Sequence, residues 1–167
     1  GGRIEVTGNT VIDALHNEVA RQQEPAIRSA IDAHLSTLLP RNWREQSIVL
    51  ITGHRRENLG GGFDQICQAV RILADSFADH LFVYPVHLNP RVQGPVREQL
   101  GGIDNIVLLP PLDYRHFVAL MHACRLILTD SGGEQEEAPG LGKPVVVMRD
   151  NTERPEGGGA GTGLVSG

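Results

Sequence analysis

The sequence predicts an α/β fold, a Rossmann-like parallel sheet with helices on both faces, and three observations lead there. From about residue 47 onward, short branched-apolar runs alternate with longer amphipathic ones, which is the pattern of parallel strands joined by crossover helices. The first run, "SIVLIT", reads as a strand buried on both faces. The unusual loop segments, "GHRREN", "PVHLNP", "PPLDY", "DSGGEQEE" and "RDNTERPE", each fall at the end of one of these runs, and open α/β sheets hold their ligands at the carboxyl ends of the strands.

Two helices are expected ahead of the sheet, in "NTVIDALHNEVARQQ" and "PAIRSAIDAHLSTLL", with Gly8-Asn9-Thr10 and Pro25 as entry signals. Strands follow at 47–52, 80–86 ("HLFVYPV"), 105–110 ("NIVLLP"), 125–130 ("RLILTD") and 143–149 ("KPVVVMR"), and "TGLVSG" offers a short sixth. Between the first two strands, Phe63, Ile66, Cys67, Val70, Leu73 and Phe77 recur at helical spacing. "PRVQGPVREQLG" is a helix with a glycine stop, Phe117, Leu120 and Met121 mark one face of another, and a short helix is expected from Gly133 to Leu141.

A chain of 167 residues, 40% of them hydrophobic, can bury the core of one domain. The net charge of -5 and pI near 5.8 speak against nucleic acid as a partner, so any bound anion has to be held by local groups. No apolar stretch reaches the roughly 20 residues that cross a bilayer, and the start lacks a signal-peptide layout, so a cytoplasmic protein is expected. Cys67 and Cys124 lie in apolar periodic segments and read as buried free thiols. The seven histidines lack ligand spacing, which gives a metal little support.

The chemistry concentrates in the loops. Ser131-Gly132-Gly133 follows the fourth strand, and glycines there would let backbone N–H groups approach a phosphate at the positive end of a helix. The same residues also make a plain N-cap turn. Behind them, Glu134, Glu136 and Glu137 would complement the helix dipole on a solvated face. With a nucleotide present, Glu137 could instead accept hydrogen bonds from ribose hydroxyls while Glu134 faces solvent. His54, Arg55 and Arg56 after the first strand, and Arg154 in "TERPE", read either as phosphate-binding cations or as solvated Arg–Glu turns. His87 in "YPVHLNP", taken alone, is a loop histidine.

Taken together, "VTGNTVIDAL", "GHRRENLG", "YPVHLNP", "LILTDSGGEQEEAPGLGKPVVVMRDNTERPE" and "AGT" resemble the C-terminal half of the non-hydrolysing UDP-N-acetylglucosamine 2-epimerases, in that family's order and spacing. The resemblance implies one of two Rossmann-like domains facing each other across a cleft, as in glycosyltransferases of the B type. It implies interconversion of UDP-N-acetylglucosamine and UDP-N-acetylmannosamine by elimination and re-addition of UDP, with no cofactor and no metal. It further implies a full-length homodimer, with UDP and UDP-N-acetylglucosamine as ligands, serving cell-surface polysaccharide biosynthesis.

By motif, Ser131, Gly132 and Gly133 would hold the diphosphate, Glu137 the ribose and Phe117 the uracil, with Arg154 completing the pocket. His54 would assist the departure of UDP. Arg55 and His87 would line a second, activating UDP-N-acetylglucosamine site. Glu134 departs from the pattern, standing where the family usually has an apolar residue, and "EGGGAGTGLVSG" departs from the usual ending. With few residues after "GLV" to cover the last strand, residues 1–167 are expected to be a single UDP-binding domain without the N-terminal domain and closing helices, binding UDP but inactive alone. A nucleotide-sugar binding or regulatory module and the donor domain of a UDP-dependent glycosyltransferase are the alternative readings.

Overall fold

The computed structural model describes residues 8–53, 61–148 and 163–166. Two helices precede the sheet: α1 (Thr10–Arg21) and α2 (Pro25–Leu35). Asn9 starts α1 by accepting a hydrogen bond from the Val11 N–H at 3.0 Å, and Pro25 opens α2, where its missing N–H costs nothing. A single 3-10 turn at Trp43–Glu45 then seats the buried Trp43 under the sheet, with the Arg44 guanidinium stacked 4.4 Å from its ring centroid.

The alternating part follows as β1 (Ser47–Thr52), α3 (Gly61–Ser76), β2 (His80–Pro85), α4 (Pro90–Leu100), β3 (Ile106–Leu109), α5 (Tyr114–Ala123), β4 (Leu126–Thr129), α6 (Gly132–Gly140), β5 (Val145–Met148) and β6 (Gly163–Ser166). Each of the five expected strands is present, trimmed at most by two residues at an end, and the short sixth strand pairs with β5. The sheet has the order β3-β2-β1-β4-β5-β6, and every neighbouring pair is parallel.

Period-two alternation assigns each strand residue to a face. Ile48 and Leu50 of β1, Leu81 and Val83 of β2, Ile127 of β4, and Val145 and Val147 of β5 point into a core closed by α1, α2, α5 and α6. Val49, Ile51, Phe82, Tyr84 and Leu128 point the other way, into a core closed by α3 and α4. Both faces being covered is the reason the strands are almost uniformly apolar.

One helical expectation is corrected at its end. α3 stops at Ser76, so Phe77, four residues after Leu73, lies beyond the last turn and is 48% exposed, edge-on to the His80 ring at 5.5 Å. Cys67 and Cys124 are free and buried in opposite cores, as the periodicity indicated. Burial, and for Cys67 the nearby Asp64 charge, pushes each thiol up to about 11. At pH 8 the thiolate fraction is then on the order of one part in a thousand. Both cysteines are expected to resist iodoacetamide in the native protein and to react promptly once urea unfolds it, as mass spectrometry of the alkylated chain would read.

Candidate functional site

The strand order turns around between β1 and β4, since β1 continues into α3 on one face and β4 into α6 on the other. Diverging connections leave a crevice above the carboxyl ends of these two strands. Its floor is polar. The Thr52 hydroxyl donates to Thr129 Oγ1 at 2.6 Å, and the Ser131 N–H donates to the same oxygen at 2.9 Å. The Asp130 N–H reaches the Thr52 carbonyl at 3.1 Å, extending the ladder one residue past the strand. Thr129 Oγ1 thus uses both acceptor sites to join β1, β4 and Ser131, the cap of the next helix.

A second device fixes the exit of β1. The buried Tyr84 hydroxyl of β2 donates to the Gly53 carbonyl at 3.0 Å. Burial first, then the charges of Cys67 and Asp130, holds this phenol well above its usual range, so it stays a donor. A Cβ on Gly53 would lie 2.8 Å from that hydroxyl, so glycine is required by close approach at this point. Asp130, wholly buried, lies beneath the same crossing, with an oxygen 3.9 Å from where the Gly53 Cβ would stand.

From this floor α6 rises with its N-terminus at the crevice. Ser131 caps it, its Oγ accepting from the Gly133 N–H at 3.3 Å, and the Gln135 side chain donates to the Ser131 carbonyl at 3.2 Å. The helix runs from Gly132 to Gly140, one residue earlier at each end than expected, because the cap is Ser131 itself. The first-turn N–H groups have no partner carbonyl within the helix and carry its positive dipole end.

The acids behind the glycines have separate environments. Glu136 is tied back to α1, accepting from Asn9 Nδ2 at 2.8 Å. Glu137 is half-buried, and its carboxyl is raised above the ordinary carboxylate range, by burial first and then by the Glu134 charge. Glu137 in turn, after burial, helps raise the phenol of Tyr114 at the start of α5. The expectation that Glu134 faces solvent is overturned. Glu134 is half-buried between the buried Gly132 and Gln135, and its Oε2 is covered and lacks a hydrogen-bond partner among the described residues.

The remaining site residues distribute unevenly. Phe117, one turn into α5, is partly buried against the core that α6 also closes. His87 is exposed on the loop leaving β2, two strands from β4 in the sheet, where its Nδ1 accepts from the Asn89 N–H at 3.1 Å. His54, Arg55 and Arg154 lie outside the described residues. Ser131, Gly132, Gly133 and Glu137 therefore lie together on the cap and first turns of α6, Phe117 packs on the core that α6 also helps close, and His87 belongs to another part of the rim. Thr52, Tyr84, Thr129 and Asp130 escaped the sequence reading. Their signal was a polar residue inside or closing an otherwise apolar run, as in "LIT" and "LILTD".

An all-parallel, doubly wound sheet with a glycine-started helix at its switch point defines a Rossmann-like ligand-binding domain. Comparison narrows the class. The family described as UDP-N-acetylglucosamine 2-epimerase matches residues 1–167, and the chain belongs to that family. A probable UDP-N-acetylglucosamine 2-epimerase of Ralstonia nicotianae is 56% identical over 159 residues, covering 95% of this chain and 42% of that protein. The UDP-N-acetylglucosamine 2-epimerase of Escherichia coli K12 is 50% identical over 163 residues, again covering 42% of its length. Among solved structures, the Neisseria meningitidis UDP-GlcNAc 2-epimerase bound to UDP-GlcNAc superimposes with a TM-score of 0.90 at 43% identity, covering 97% of this chain and 43% of that one. The chain thus spans less than half the length of these relatives.

The threonine junction can be tested by unfolding. Thr129→Val removes the acceptor used by both Thr52 and Ser131 and is expected to cost about 1–3 kcal/mol in urea denaturation, whereas Thr52→Val, which leaves the Ser131 bond in place, costs less. Gly53→Ala is expected to destabilise the native protein more than it destabilises Tyr84→Phe, in which the clashing hydroxyl is gone. Equal costs in the two backgrounds would contradict the close approach.

Proposed function

We propose that this chain is the UDP-binding half of an isomerase that interconverts UDP-N-acetylglucosamine and UDP-N-acetylmannosamine. One observation carries the reading beyond family membership. Gly133 sits inside α6 without a positive backbone φ, and a Cβ there would meet nothing closer than Ser131 Oγ at 3.7 Å. The fold itself does not need glycine at this position, and glycine in a helix costs about 0.5–1 kcal/mol relative to alanine. A ligand pressed against the backbone supplies the missing reason.

In this proposal Ser131, Gly132 and Gly133 hold the diphosphate, Glu137 takes the ribose hydroxyls, Phe117 lies against uracil and Arg154 completes the pocket. Tyr114 and Phe117 sharing α5, with Tyr114 close enough to feel the Glu137 charge, support a base and a ribose held side by side. In the elimination, the C2 proton passes to a base, its electron pair closes a C1–C2 double bond, and the C1–O bond breaks with its pair leaving on UDP. Re-addition of UDP at C1 and of a proton to the opposite face of C2 gives the epimer. The helix N-terminus stabilises the departing diphosphate in both directions, and His54 assists its departure.

The acid-base carboxylates belong to a facing N-terminal domain, so residues 1–167 bind UDP but do not turn over alone. His87, on its separate rim loop, fits with Arg55 a second, activating nucleotide-sugar site. The full-length protein is proposed to be a cytoplasmic homodimer serving cell-surface polysaccharide synthesis, needing no metal or nicotinamide.

Calorimetric titration is the direct test: UDP is expected to bind more tightly than inorganic phosphate, and equal affinities would sink the reading. Gly133→Ala separates ligand from fold. It is expected to stabilise the protein by up to about 1 kcal/mol while weakening UDP at least tenfold. A variant that bound UDP as well as the parent would remove Gly133 from the site.

A further inference from the structure

We infer that α1 is the strut that sets the span between the base-holding and diphosphate-holding parts of the site, with Glu18 and Gln22 as its positioning residues. The inference rests on the reading of Phe117 as the base contact and of the α6 cap as the diphosphate contact, and it adds what keeps the two in register. α1 packs against both α5 and α6. Its two ends divide the work. At the start, the cap residue Asn9 donates from Nδ2 to Glu136 Oε2 at 2.8 Å. Ile12 follows so close to α6 that a Cβ on Gly140 would touch its side chain at 3.5 Å.

At the other end the contact is polar and buried. Gln22 uses both donors of its Nε2, one to the Arg115 main-chain carbonyl at 2.9 Å and one to Glu18 Oε1 at 3.2 Å. Glu18 Oε1 also accepts from Arg115 Nε at 3.2 Å. Arg115 is thus held by backbone and side chain at once, in the first turn of α5 and two residues ahead of Phe117. The neighbouring Tyr114 phenol is raised by burial first, then by the charges of Glu137 and Glu18, so the start of α5 lies within electrostatic reach of both other helices.

Stability alone does not ask for this trio. Leu15, fully buried, and Glu18 fall on one face of α1, and Gln22 continues that face at the cap. Apolar side chains at 18 and 22 would extend the stripe, and exchanging a buried ion pair for apolar residues of similar volume is often neutral or stabilising. Apolar contact has no direction, so it leaves the helices free to slide. Hydrogen bonds to a carbonyl and a guanidinium fix the register, and the turn they fix leads directly into Phe117. With Asn9 and Ile12 holding α6 from the same helix, the span between the two contacts becomes a property of one rod. A ligand that carries a base and a diphosphate on one frame binds best to a span fixed in advance.

Pyrophosphate separates the two ends, since it offers α6 a diphosphate and offers α5 no base. In calorimetric titrations, the full chain carrying Glu18→Leu with Gln22→Leu is expected to bind UDP about tenfold more weakly than the parent, the size of one lost base contact. Its affinity for pyrophosphate is expected to be unchanged. Glu18→Gln, which keeps an acceptor oxygen for Gln22 and Arg115, is expected to stay within about twofold of the parent for UDP. Thermal melts are expected to show the variants folded, because the partly exposed Arg115 can turn to water when Glu18 is gone. Should the double variant unfold, Gln22→Leu alone, which retains the Glu18–Arg115 pair, is expected to show the same selective loss in smaller measure. UDP and pyrophosphate weakened alike, or neither weakened, overturns the strut and leaves the UDP-binding reading standing, as does a Glu18→Gln variant as weak as the double one. A parent that binds UDP no tighter than pyrophosphate overturns the base contact and the strut together.

Discussion

The Thr129 hydroxyl is the point on which the rest of the site depends. Two strands that are far apart in sequence, β1 and β4, lie side by side at the one place where the sheet reverses its winding. Parallel strands need no polar side chains to pair, yet here two threonine hydroxyls bond at 2.6 Å at the last register position. The second lone pair of Thr129 catches the Ser131 N–H, which fixes where the chain leaves the sheet and hence where α6 begins. Replace that oxygen by a methyl group, and a buried hydroxyl and a backbone N–H both lose their partner, which is an expensive arrangement in a low-dielectric interior.

Everything above the junction inherits its precision. Ser131 can cap the helix because its backbone is already held, and the first-turn amides point into the crevice because the cap sets the helix axis. Tyr84 performs the matching service for β1 through the Gly53 carbonyl. The two exits of the crevice are thus each held by a buried hydroxyl, and rigid elements, more than loops, carry the candidate phosphate site.

The acids of α6 illustrate how position sorts identical residue types. Three glutamates in four positions have three fates: Glu136 bonds to the α1 cap Asn9, Glu137 is half-buried with a raised carboxyl, and Glu134 has an oxygen buried without a partner. The helix dipole favours chiefly Glu134, the acid in the first turn, yet Glu134 is the one with an unpartnered buried oxygen, so the dipole does not account for the three fates. Burial and neighbours do.

Much of the fold was legible in the chain. Buried parallel strands are runs of β-branched and aliphatic residues, and their caps, Asn9, Asn89, Asp113 and Ser131, are the short polar side chains that satisfy orphan amides. The Ser-Gly-Gly turn and the rim loops could likewise be recognised, because their chemistry is local. What the sequence could not determine was adjacency. That β1 lies between β2 and β4, that Thr52 meets Thr129 across 77 positions, that Tyr84 reaches Gly53, and that Glu134 turns inward are consequences of long-range packing. Local pattern records what a residue prefers, and only the closed tertiary structure decides which partner, or which lack of one, it finds.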